Sequence, residues 1–521
     1  MNAGDRSSPP GVDRGPARVW PIGAELAFVA ALGALQTLAY VHTVAWPLQL
    51  GCVALLARRV LASAPRRAAL LGLAYGTAWL GAGTWWLYIS LHDYGGLPAW
   101  LTVVAVALLS SLLSLYMALA MAAFSLARRG SPLHDAMLFG AAWLLAELAR
   151  AEIFTGFPWI ASGYAHVDSP LAGFAPWVGV YGIGFIGAAL AAWVASRRHR
   201  GLRDWVGSAG AVVGVLVLGQ VAGTASFSSS SGRLAVTLLQ GNVPQDEKFA
   251  AERLPATLAW TSEQLRAARG DLVVAPETVI PLLPDQLDPE YWLTVLDHFQ
   301  LGRQSAIVGL PLGDPESGYT NSAAGISAST AHLPGGYYRY DKHHLVPFGE
   351  FIPLGFHWFT QMMNIPLGDF NRGPLAAPSF VVKDQRVAPN ICYEDLFGEE
   401  LAKRFGDAGT APTIFANISN IAWFGKSIAI DQHLQISRMR TLEFERPMLR
   451  ATNTGATAVI DYRGRVTAML EPYTQGVLDA VVEGRNGLTP FARWAGAFGL
   501  WPAWLLGAGI VATAIRRRPR L

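Results

Sequence analysis

Three side chains that can take part in covalent chemistry follow short apolar segments: Glu277, Lys342 and Cys392. The segments before them are rich in β-branched or aromatic residues and lie at 272–275, 338–341 and 387–391, respectively. Short runs of this kind, bounded by turn residues, are typical of buried strands. Because a rigid sheet can aim the groups that stand where its strands end, we expect these three side chains to serve one site.

Each of the three residues also has an ordinary structural interpretation. An acidic residue after a strand is usually a helix cap or a surface charge, and a buried cysteine usually acts as a small hydrophobic residue. Together, however, they supply every group that acyl transfer needs. A thiol, with a pKa of about 8.5, needs a base, and the oxyanion formed by its attack needs a cation or N–H donors. Glu277 is the candidate base, Lys342 the candidate oxyanion stabiliser and Cys392 the candidate nucleophile, with no metal required.

The segment that carries these residues, 232–485, has the composition of a soluble α/β domain. A Ser-rich stretch at 226–231 leads into it. The apolar pattern predicts strands and helices along the segment. The predicted strands are 234–239, 272–275, 306–310, 387–391 and 413–416, and helical periodicity covers 248–269 and 432–445.

The rest of the chain is too apolar for a soluble protein. Hydrophobic residues make up 52% of the 521 residues, charged residues make up 15%, and the mean hydropathy is +0.30. Soluble proteins carry about 25% charged residues, and a membrane-spanning helix needs about 20 apolar residues. Eight spans are predicted, at 21–41, 44–58, 68–90, 98–127, 133–149, 171–195, 205–223 and 493–515. The net charge of +3 is too small for a nucleic-acid surface, and two cysteines cannot form a disulfide framework.

Arginines predict the orientation of these spans, since Lys and Arg in short loops mark the cytoplasmic side of a membrane. Basic clusters follow the second, fourth, sixth and eighth spans, whereas the loop at 92–96 after the third span has none. We therefore expect the tails 1–20 and 516–521 in the cytoplasm. The membrane domain 21–225 and the last span 493–515 then place the segment 232–485 on the opposite side.

Longer motifs surround the candidate residues. They lie at 155–159 (TGFPW), 239–245 (LQGNVPQ), 275–278 (APET), 341–350 (DKHHLVPFGE), 391–394 (ICYE), 417–420 (NISN) and 450–455 (RATNTG). The order Glu, Lys, Cys at strand ends resembles the nitrilase, or carbon–nitrogen hydrolase, superfamily. With eight predicted spans and the 341–350 motif, the chain resembles more closely the integral-membrane members, the apolipoprotein N-acyltransferases.

This resemblance implies a polytopic α-helical membrane bundle of eight spans and an α/β nitrilase-like α-β-β-α sandwich domain. It implies transfer of a fatty acyl chain from the sn-1 position of a phospholipid, typically phosphatidylethanolamine. The chain would pass through a cysteine thioester to the α-amino group of the S-diacylglyceryl cysteine of an apolipoprotein. The three candidate residues would act as base, oxyanion stabiliser and nucleophile, with Glu350, Tyr393 and Glu394 supporting the pocket. The expected enzyme is a monomer in the bacterial inner membrane with a periplasmic catalytic domain, ping-pong kinetics and no cofactor.

The stretch after Glu350 is rich in aromatic side chains. Phe351, Phe356, Trp358 and Phe359 are candidates for a lid or acyl-chain gate that dips into the membrane interface. Both substrates would be lipids, and a thioester must be kept from water. The alternative is that these side chains belong to the core of the domain.

Two other functions fit part of the pattern. A membrane-tethered amidase acting on a small periplasmic substrate would use the same triad with water, but it would not need eight spans. The second alternative is a transporter or scaffold that bears an inactive domain. A transporter would place ionisable residues within its spans. The clear candidate here is Glu147 beside Arg150, which is too few residues for a coupling pathway. His343, His344 and His433 fit loop and helix surface better than a metal site, since no Cys/His ligand spacing accompanies them.

Overall fold

The computed structural model describes residues 20–197, 201–353, 355 and 369–516. Nearly all of the two predicted tails lies outside these ranges, as do three candidate gate residues, Phe356, Trp358 and Phe359. The described chain begins with a bundle of helices, continues as two β-sheets with helices around them, and ends in two further helices.

Within the described residues, eight α-helices form the N-terminal part of the chain. They are α1 Ile22–Leu35, α2 Trp46–Leu61, α3 Pro65–Gly83, α4 Ala99–Leu113, α5 Leu115–Ala127, α6 Pro132–Glu152, α7 Ala175–Ser196 and α8 Leu202–Ala222. Proline stands in the first turn of α2, α3, α6 and α7. Its missing N–H has no helical partner at that position, so it favours helix initiation there. A helix is present at each of the seven spans predicted in this part.

Five helical segments of the described residues are long and apolar enough to cross a membrane. They are Ile22–Tyr40, Thr43–Leu61, Ala99–Ala127, Pro170–Ser196 and Leu202–Ala222. The pair Pro490–Phe498 and Trp501–Arg516 makes a sixth if it is counted as one bent span. Helices α3 and α6 form where spans were predicted, but they do not belong to this most apolar class. Several membrane helices are therefore present, and the number eight stays a prediction.

The last predicted span, 493–515, is not one straight helix. Two helices, Pro490–Phe498 and Trp501–Arg516, meet at an angle of 88°. Between them Gly499 has φ +59°, a left-handed conformation that glycine adopts without strain and that ends helices. Pro502 then stands at the start of the next helix, where proline is favoured.

Two other predicted spans also differ from single helices. The span 98–127 is divided at Ser114 into α4 and α5, and the Ser114 hydroxyl donates to the Ser110 carbonyl at 2.6 Å. The span 68–90 ends as an α-helix at Gly83, and a π-helical turn, Ile89–Tyr94, follows. Apolar composition predicted the segments, but it does not specify where the backbone bends.

Helix α6 is largely buried, with α5 and α7 as neighbours. Its Glu147 carboxylate accepts hydrogen bonds from the Ser162 backbone N–H at 2.6 Å and from the Ser162 hydroxyl at 2.9 Å. Arg150 donates to the carbonyl oxygens of Phe157 at 2.8 Å and Trp159 at 2.7 Å. The two charged side chains therefore hold the segment that follows α6 in place.

Two six-stranded sheets form the domain that follows α8. The first contains β1 Ser228–Gln240, β2 Leu272–Val274, β3 Ser305–Asp314, β4 Gly318–Ile326, β5 Tyr338–Asp341 and β12 Gly476–Gly487, in the order β12-β1-β2-β3-β4-β5. The second contains β6 Phe380–Val382, β7 Gln385–Ile391, β8 Ile414–Ser419, β9 Met448–Thr452, β10 Ala458–Ile460 and β11 Val466–Met469, in the order β11-β10-β9-β8-β7-β6. Strands β1 to β3 are parallel, as are β7 to β9, so their carboxyl ends meet at one edge of each sheet.

Helices cover the outer faces of both sheets. They are α9 Leu254–Ala267, α10 Pro289–Gln300, α11 Gly398–Ala402 and α12 Ala429–Phe444. The two helices after the last strand are α13 Pro490–Phe498 and α14 Trp501–Arg516, and α14 packs against α6. Side chains from both sheets, such as Val274 and Ile391, share one core between them. Helices α9 and α10 pack on the first sheet, and α12 packs on the second.

Strand β1 begins earlier than predicted. Most of the Ser-rich stretch expected to lead into the domain is part of this strand, since Ser228, Ser229 and Ser230 pair with residues of β12. Six of the described strands were not predicted at all, namely β4, β6, β9, β10, β11 and β12. Strand β4 (GYTNSAAGI) is mostly buried, yet its small and polar residues lack an apolar run.

Helix α12 connects the membrane bundle to the sheets. The Gln432 side chain accepts hydrogen bonds from the indole N–H groups of Trp86 at 3.1 Å and Trp159 at 2.7 Å. It donates to the Gly83 carbonyl at 2.8 Å. The bundle and the sheets are thus held in one fixed relation close to the strand ends.

Candidate active site

Glu277 lies just beyond the carboxyl end of β2. The backbone N–H of Ala275 still donates to Ile307 of β3 at 2.8 Å, and the chain then turns away. Gly309 on β3 permits this turn to lie close, because a Cβ atom at position 309 would stand 2.4 Å from the Pro276 carbonyl oxygen and 2.8 Å from the Glu277 Cα. The carboxylate is therefore positioned by the parallel β2–β3 pair.

Lys342 follows β5, and its ammonium group forms a buried cluster with two carboxylates. It donates to Glu350 at 2.9 Å and lies 3.6 Å from Glu277 Oε1. The Asn321 side-chain N–H₂ donates to Glu277 Oε1 at 2.7 Å and to Glu350 Oε1 at 2.6 Å. The Asn321 carbonyl also accepts from the Lys342 backbone N–H at 2.9 Å. Asn321 thus links all three charged residues.

The structure holds Cys392 in a strained backbone conformation at the end of β7. Its φ is +52°, a left-handed value that costs a residue with a side chain about 1–3 kcal/mol. The Cys392 carbonyl accepts hydrogen bonds from the Asn417 amide and the His433 imidazole, each at 3.2 Å. Cys392 as a residue is partly exposed. The surrounding network therefore fixes the direction in which the thiol projects.

Burial and the nearby Glu277 carboxylate raise the pKa of the Cys392 thiol to about 12, against the opposing effect of Lys342. Burial alone would raise the pKa of Glu277, but Lys342, Lys248 and the hydrogen bonds from Asn321 and Asn420 hold it below its usual value. At neutral pH the resting site therefore contains a neutral thiol and an ionised carboxylate. An ionised carboxylate and a neutral thiol in one site are the charge states from which general-base catalysis starts.

Glu394 connects the chain segments that carry the nucleophile and the cation. One oxygen accepts from the His343 backbone N–H at 2.7 Å, next to Lys342. The other accepts from the Ile391 backbone N–H at 2.6 Å, next to Cys392, and from the Tyr340 hydroxyl at 2.8 Å. This buried carboxylate therefore ties the end of β5 to the end of β7.

Tyr393 connects the site to the membrane bundle. Its hydroxyl donates to the Gly156 carbonyl at 3.2 Å. The neighbouring residue Thr155 is contacted in a similar way, since the His344 Nε2 lies 3.1 Å from the Thr155 carbonyl. Gly156 has φ +80°, and a Cβ there would stand 1.7 Å from the Ala151 carbonyl oxygen. The segment after α6 thus approaches both strand ends, because Arg150 holds it and a glycine lets it turn.

Two histidines are buried, which corrects the expectation that they lie on loop and helix surfaces. His344 stacks on Phe397 with ring centroids 3.5 Å apart. His433 lies 2.9 Å from Asp395 through Nε2, while its Nδ1 faces the Arg450 guanidinium at 3.2 Å. Since Arg450 can only donate, Nδ1 accepts, and the hydrogen on Nε2 lies between the Asp395 carboxylate at 2.9 Å and the Cys392 carbonyl at 3.2 Å. Trp159, from the segment after α6, stacks on His433, and the Asp395 and Arg450 side chains contact its two ring nitrogens, so this face of α12 is not exposed.

Two family models match the chain. One is described as the apolipoprotein N-acyltransferase N-terminal domain and matches residues 32–193, and the other, carbon-nitrogen hydrolase, matches 236–485. An apolipoprotein N-acyltransferase from Verminephrobacter eiseniae is 52% identical over 87% of this chain and 89% of its own. Another from Ralstonia nicotianae is 48% identical over 94% of this chain and 93% of its own. The chain belongs to the apolipoprotein N-acyltransferase family.

Membership of the apolipoprotein N-acyltransferase family confirms the resemblance drawn from the motifs. The loop motif 155–159 lies within the first matched region, and Glu277, Lys342 and Cys392 lie within the second. Among solved structures, a carbon-nitrogen hydrolase from Helicobacter pylori G27 matches 48% of this chain and 89% of its own, at 15% identity and a TM-score of 0.37.

Of the four candidate gate residues, only Phe351 belongs to the described part of the chain. Its carbonyl accepts from the Phe348 backbone N–H at 2.8 Å, and the Arg372 guanidinium lies 5.3 Å from the centre of its ring. Phe351 is half-buried and follows Glu350 directly. It therefore stands at the border of the charged cluster.

Sequence reasoning missed several residues of this site. Asn321 lies on an antiparallel strand whose composition gave no signal, and nothing in its neighbours marks it as a partner of two carboxylates. Asn420, whose backbone N–H donates to Glu277 Oε2 at 2.7 Å, acts through its main chain. Lys248 offered one signal, because it is one of only five lysines. Its ammonium is buried and donates to the Glu277 carbonyl at 3.1 Å.

Proposed function

We propose that the protein transfers a fatty acyl chain from a phospholipid to the α-amino group of the S-diacylglyceryl cysteine of an apolipoprotein. The observation that carries the proposal is the buried cluster of Glu277, Lys342 and Glu350 whose charges act on Cys392. The acceptor is supported by family membership. The sn-1 ester of phosphatidylethanolamine is the proposed donor.

In the first half of the reaction, Glu277 takes the proton of Cys392 while the sulfur attacks the donor ester. The tetrahedral oxyanion is held by the Lys342 ammonium and the Tyr393 backbone N–H. Protonated Glu277 then returns the proton to the departing glycerol oxygen. The products of this half are a lysophospholipid and a thioester on Cys392.

In the second half, the α-amino group of the lipoprotein attacks the thioester and Glu277 accepts its proton. An α-amino group has a pKa of about 7.7–8.0, so a useful fraction is neutral near neutral pH. Conversion of a thioester to an amide is downhill and needs no nucleotide. One covalent intermediate between two substrates makes ping-pong kinetics the expected pattern.

The proposed enzyme acts as a monomer in the bacterial inner membrane. Eight spans would place both termini in the cytoplasm and the α-β-β-α sandwich, 232–485, in the periplasm. The hydrogen bonds from Tyr393 and His344 to the segment after α6 support a site that opens near the membrane. Both lipid substrates would then reach Cys392 without leaving the bilayer.

The aromatic stretch after Glu350 is proposed as the gate for the acyl chain. Phe351 follows Glu350 of the charged cluster directly, and Phe356, Trp358 and Phe359 are the other aromatic residues proposed for the gate. A Phe356→Ser, Trp358→Ser double variant should lose turnover with long-chain donors. Turnover equal to that of the wild type would contradict the gate.

The function is tested with purified protein, phosphatidylethanolamine labelled in its sn-1 chain, and a synthetic diacylglyceryl-cysteine peptide. We expect equal amounts of labelled N-acyl peptide and lysophospholipid, and neither product with Cys392→Ser. Release of free labelled fatty acid in place of N-acyl peptide would indicate a hydrolase instead.

A further inference from the structure

A second buried cation, Lys248, stands beside the charged cluster, and so far it has entered only through its effect on the pKa of Glu277. Lys248 is 5% exposed, and its ammonium donates to the Glu277 backbone carbonyl at 3.1 Å. Among the described residues, no carboxylate forms an ion pair with this ammonium; the Glu277 carboxylate is instead engaged by Lys342, Asn321 and Asn420. Buried charges in proteins are normally paired or bind a ligand.

Lys248 lines a cavity of about 200 Å³ that also borders Glu277. The wall combines polar and aromatic side chains, among them Asn242, Trp260 and Asn453. Arg253, a second cation of the wall, is already paired with Glu247 at 2.9 Å. Lys248 is therefore the buried cation of this cavity that still lacks an anionic partner within the described chain.

We infer that Lys248 and this cavity bind the phosphodiester of the acyl donor. The inference rests on the proposed function, because only a phospholipid donor brings such an anion to the site. In a glycerophospholipid the sn-1 ester and the phosphate stand on the two ends of one three-carbon unit. A cation next to the base is thus placed to hold the phosphate while Cys392 attacks the ester.

Several properties of Lys248 agree with this role. Burial lowers the pKa of its ammonium to about 8, although the charges of Glu277 and Cys392 oppose the shift. An incoming anion would stabilise the charged form. A lysine is a compact point charge that suits a phosphate oxygen. The hydrogen bond to the Glu277 carbonyl fixes where that charge stands.

The test compares two acyl donors, dipalmitoyl-phosphatidylethanolamine and p-nitrophenyl palmitate, which carries the same acyl group without a phosphate. The rate of Cys392 acylation is measured by intact mass for the wild type, Lys248→Met and Lys383→Met. Lys383 is an exposed lysine paired with Asp271, so its variant is the matched control. For Lys248→Met we expect the loss with the phospholipid to exceed the loss with the p-nitrophenyl ester by about ten- to hundredfold.

Equal losses with both donors would overturn the inference, because Lys248 would then act through Glu277. Undiminished rates with both donors, or a defect confined to transfer from the acyl-enzyme to the peptide, would also overturn it. If the wild type itself forms no adduct with the phospholipid, the proposed function fails, which is a separate outcome.

A measurement on the wild type alone keeps the inference testable if Lys248→Met does not fold. Acylation by p-nitrophenyl palmitate is followed in the presence of sn-glycero-3-phosphoethanolamine or of glycerol. Competitive inhibition by the phosphodiester, but not by glycerol, is expected. Absence of that difference would contradict phosphate binding at the site.

Discussion

Asn321→Asp is the substitution that tests the charged cluster most sharply. The change is nearly isosteric, but it replaces an N–H₂ donor, 2.7 Å from Glu277 and 2.6 Å from Glu350, with a third carboxylate. At an effective dielectric constant of about 20, two like charges 4 Å apart repel by about 4 kcal/mol, and the repulsion is larger at shorter range. Since a pKa unit corresponds to about 1.4 kcal/mol, the cluster should bind a proton near neutral pH.

The sign of the effect follows from the proposed role of Glu277 as the general base. In the wild type its pKa lies below the usual value, so the base is ionised across the neutral range. In Asn321→Asp the shared proton must be removed before the carboxylate can act, so the acid limb of the pH–rate profile moves upward. Loss of a hydrogen bond to a charged group adds about 1.5–3 kcal/mol, or about a ten- to hundredfold slower acylation at pH 7.

The assay is the rate of Cys392 acylation by a phospholipid, followed by intact mass between about pH 4 and pH 9. Asn371→Asp is the matched control, because Asn371 donates to the Ser317 carbonyl at 2.7 Å outside the cluster. We expect the acid limb of Asn321→Asp to rise by at least about one pH unit while that of Asn371→Asp stays in place. A folded Asn321→Asp variant with the wild-type profile would refute the proposed electrostatic role of the cluster.

Three further outcomes are expected. Glu394→Gln should keep the fold but slow acylation about tenfold or more. One of the two backbone N–H groups that Glu394 accepts from, that of His343 or Ile391, would then face an amide N–H₂ and lose its hydrogen bond. A normal rate would show that the link between the strand ends is dispensable. Gly156→Ala should lower the thermal midpoint and the acylation rate together, because its Cβ would meet the Ala151 carbonyl, whereas Gly51→Ala, with open space around it, should change neither. Iodoacetamide should label Cys392 slowly at pH 7 and about tenfold faster per pH unit up to about pH 11, because the thiol pKa is raised to about 12; a plateau before about pH 9 would contradict that shift.

The residues at the ends of parallel strands could be found from the sequence for a physical reason. Short buried strands have a strong compositional signal, and the polar residue that ends one stands out against it. Glu277 and Cys392 follow β2 and β7, which lie within the parallel parts of the two sheets. Lys342 follows a strand with a weaker apolar pattern. It could still be recognised as a candidate site residue, because a lysine directly after a strand is a charged group at a strand end.

The parts that escaped prediction depend on contacts between distant segments. Asn321 becomes important only because β4 places it between two carboxylates that come from other strands. His433 is buried because Trp159, Asp395 and Arg450 from other segments contact its ring, which helical periodicity within 432–445 does not reveal. The bend at Gly499 lies inside an apolar stretch, and hydropathy measures length and composition but not direction.

In the proposed reaction, Cys392 carries the acyl group as a thioester between the two substrates. Intact mass of the full-length protein after incubation with phosphatidylethanolamine, without acceptor peptide, tests it directly. A thioester on Cys392 should give a mass increase equal to one acyl group that is absent in Cys392→Ser and disappears when the diacylglyceryl peptide is added. An increase that persists in Cys392→Ser, or N-acyl peptide formed by that variant at the wild-type rate, would contradict it.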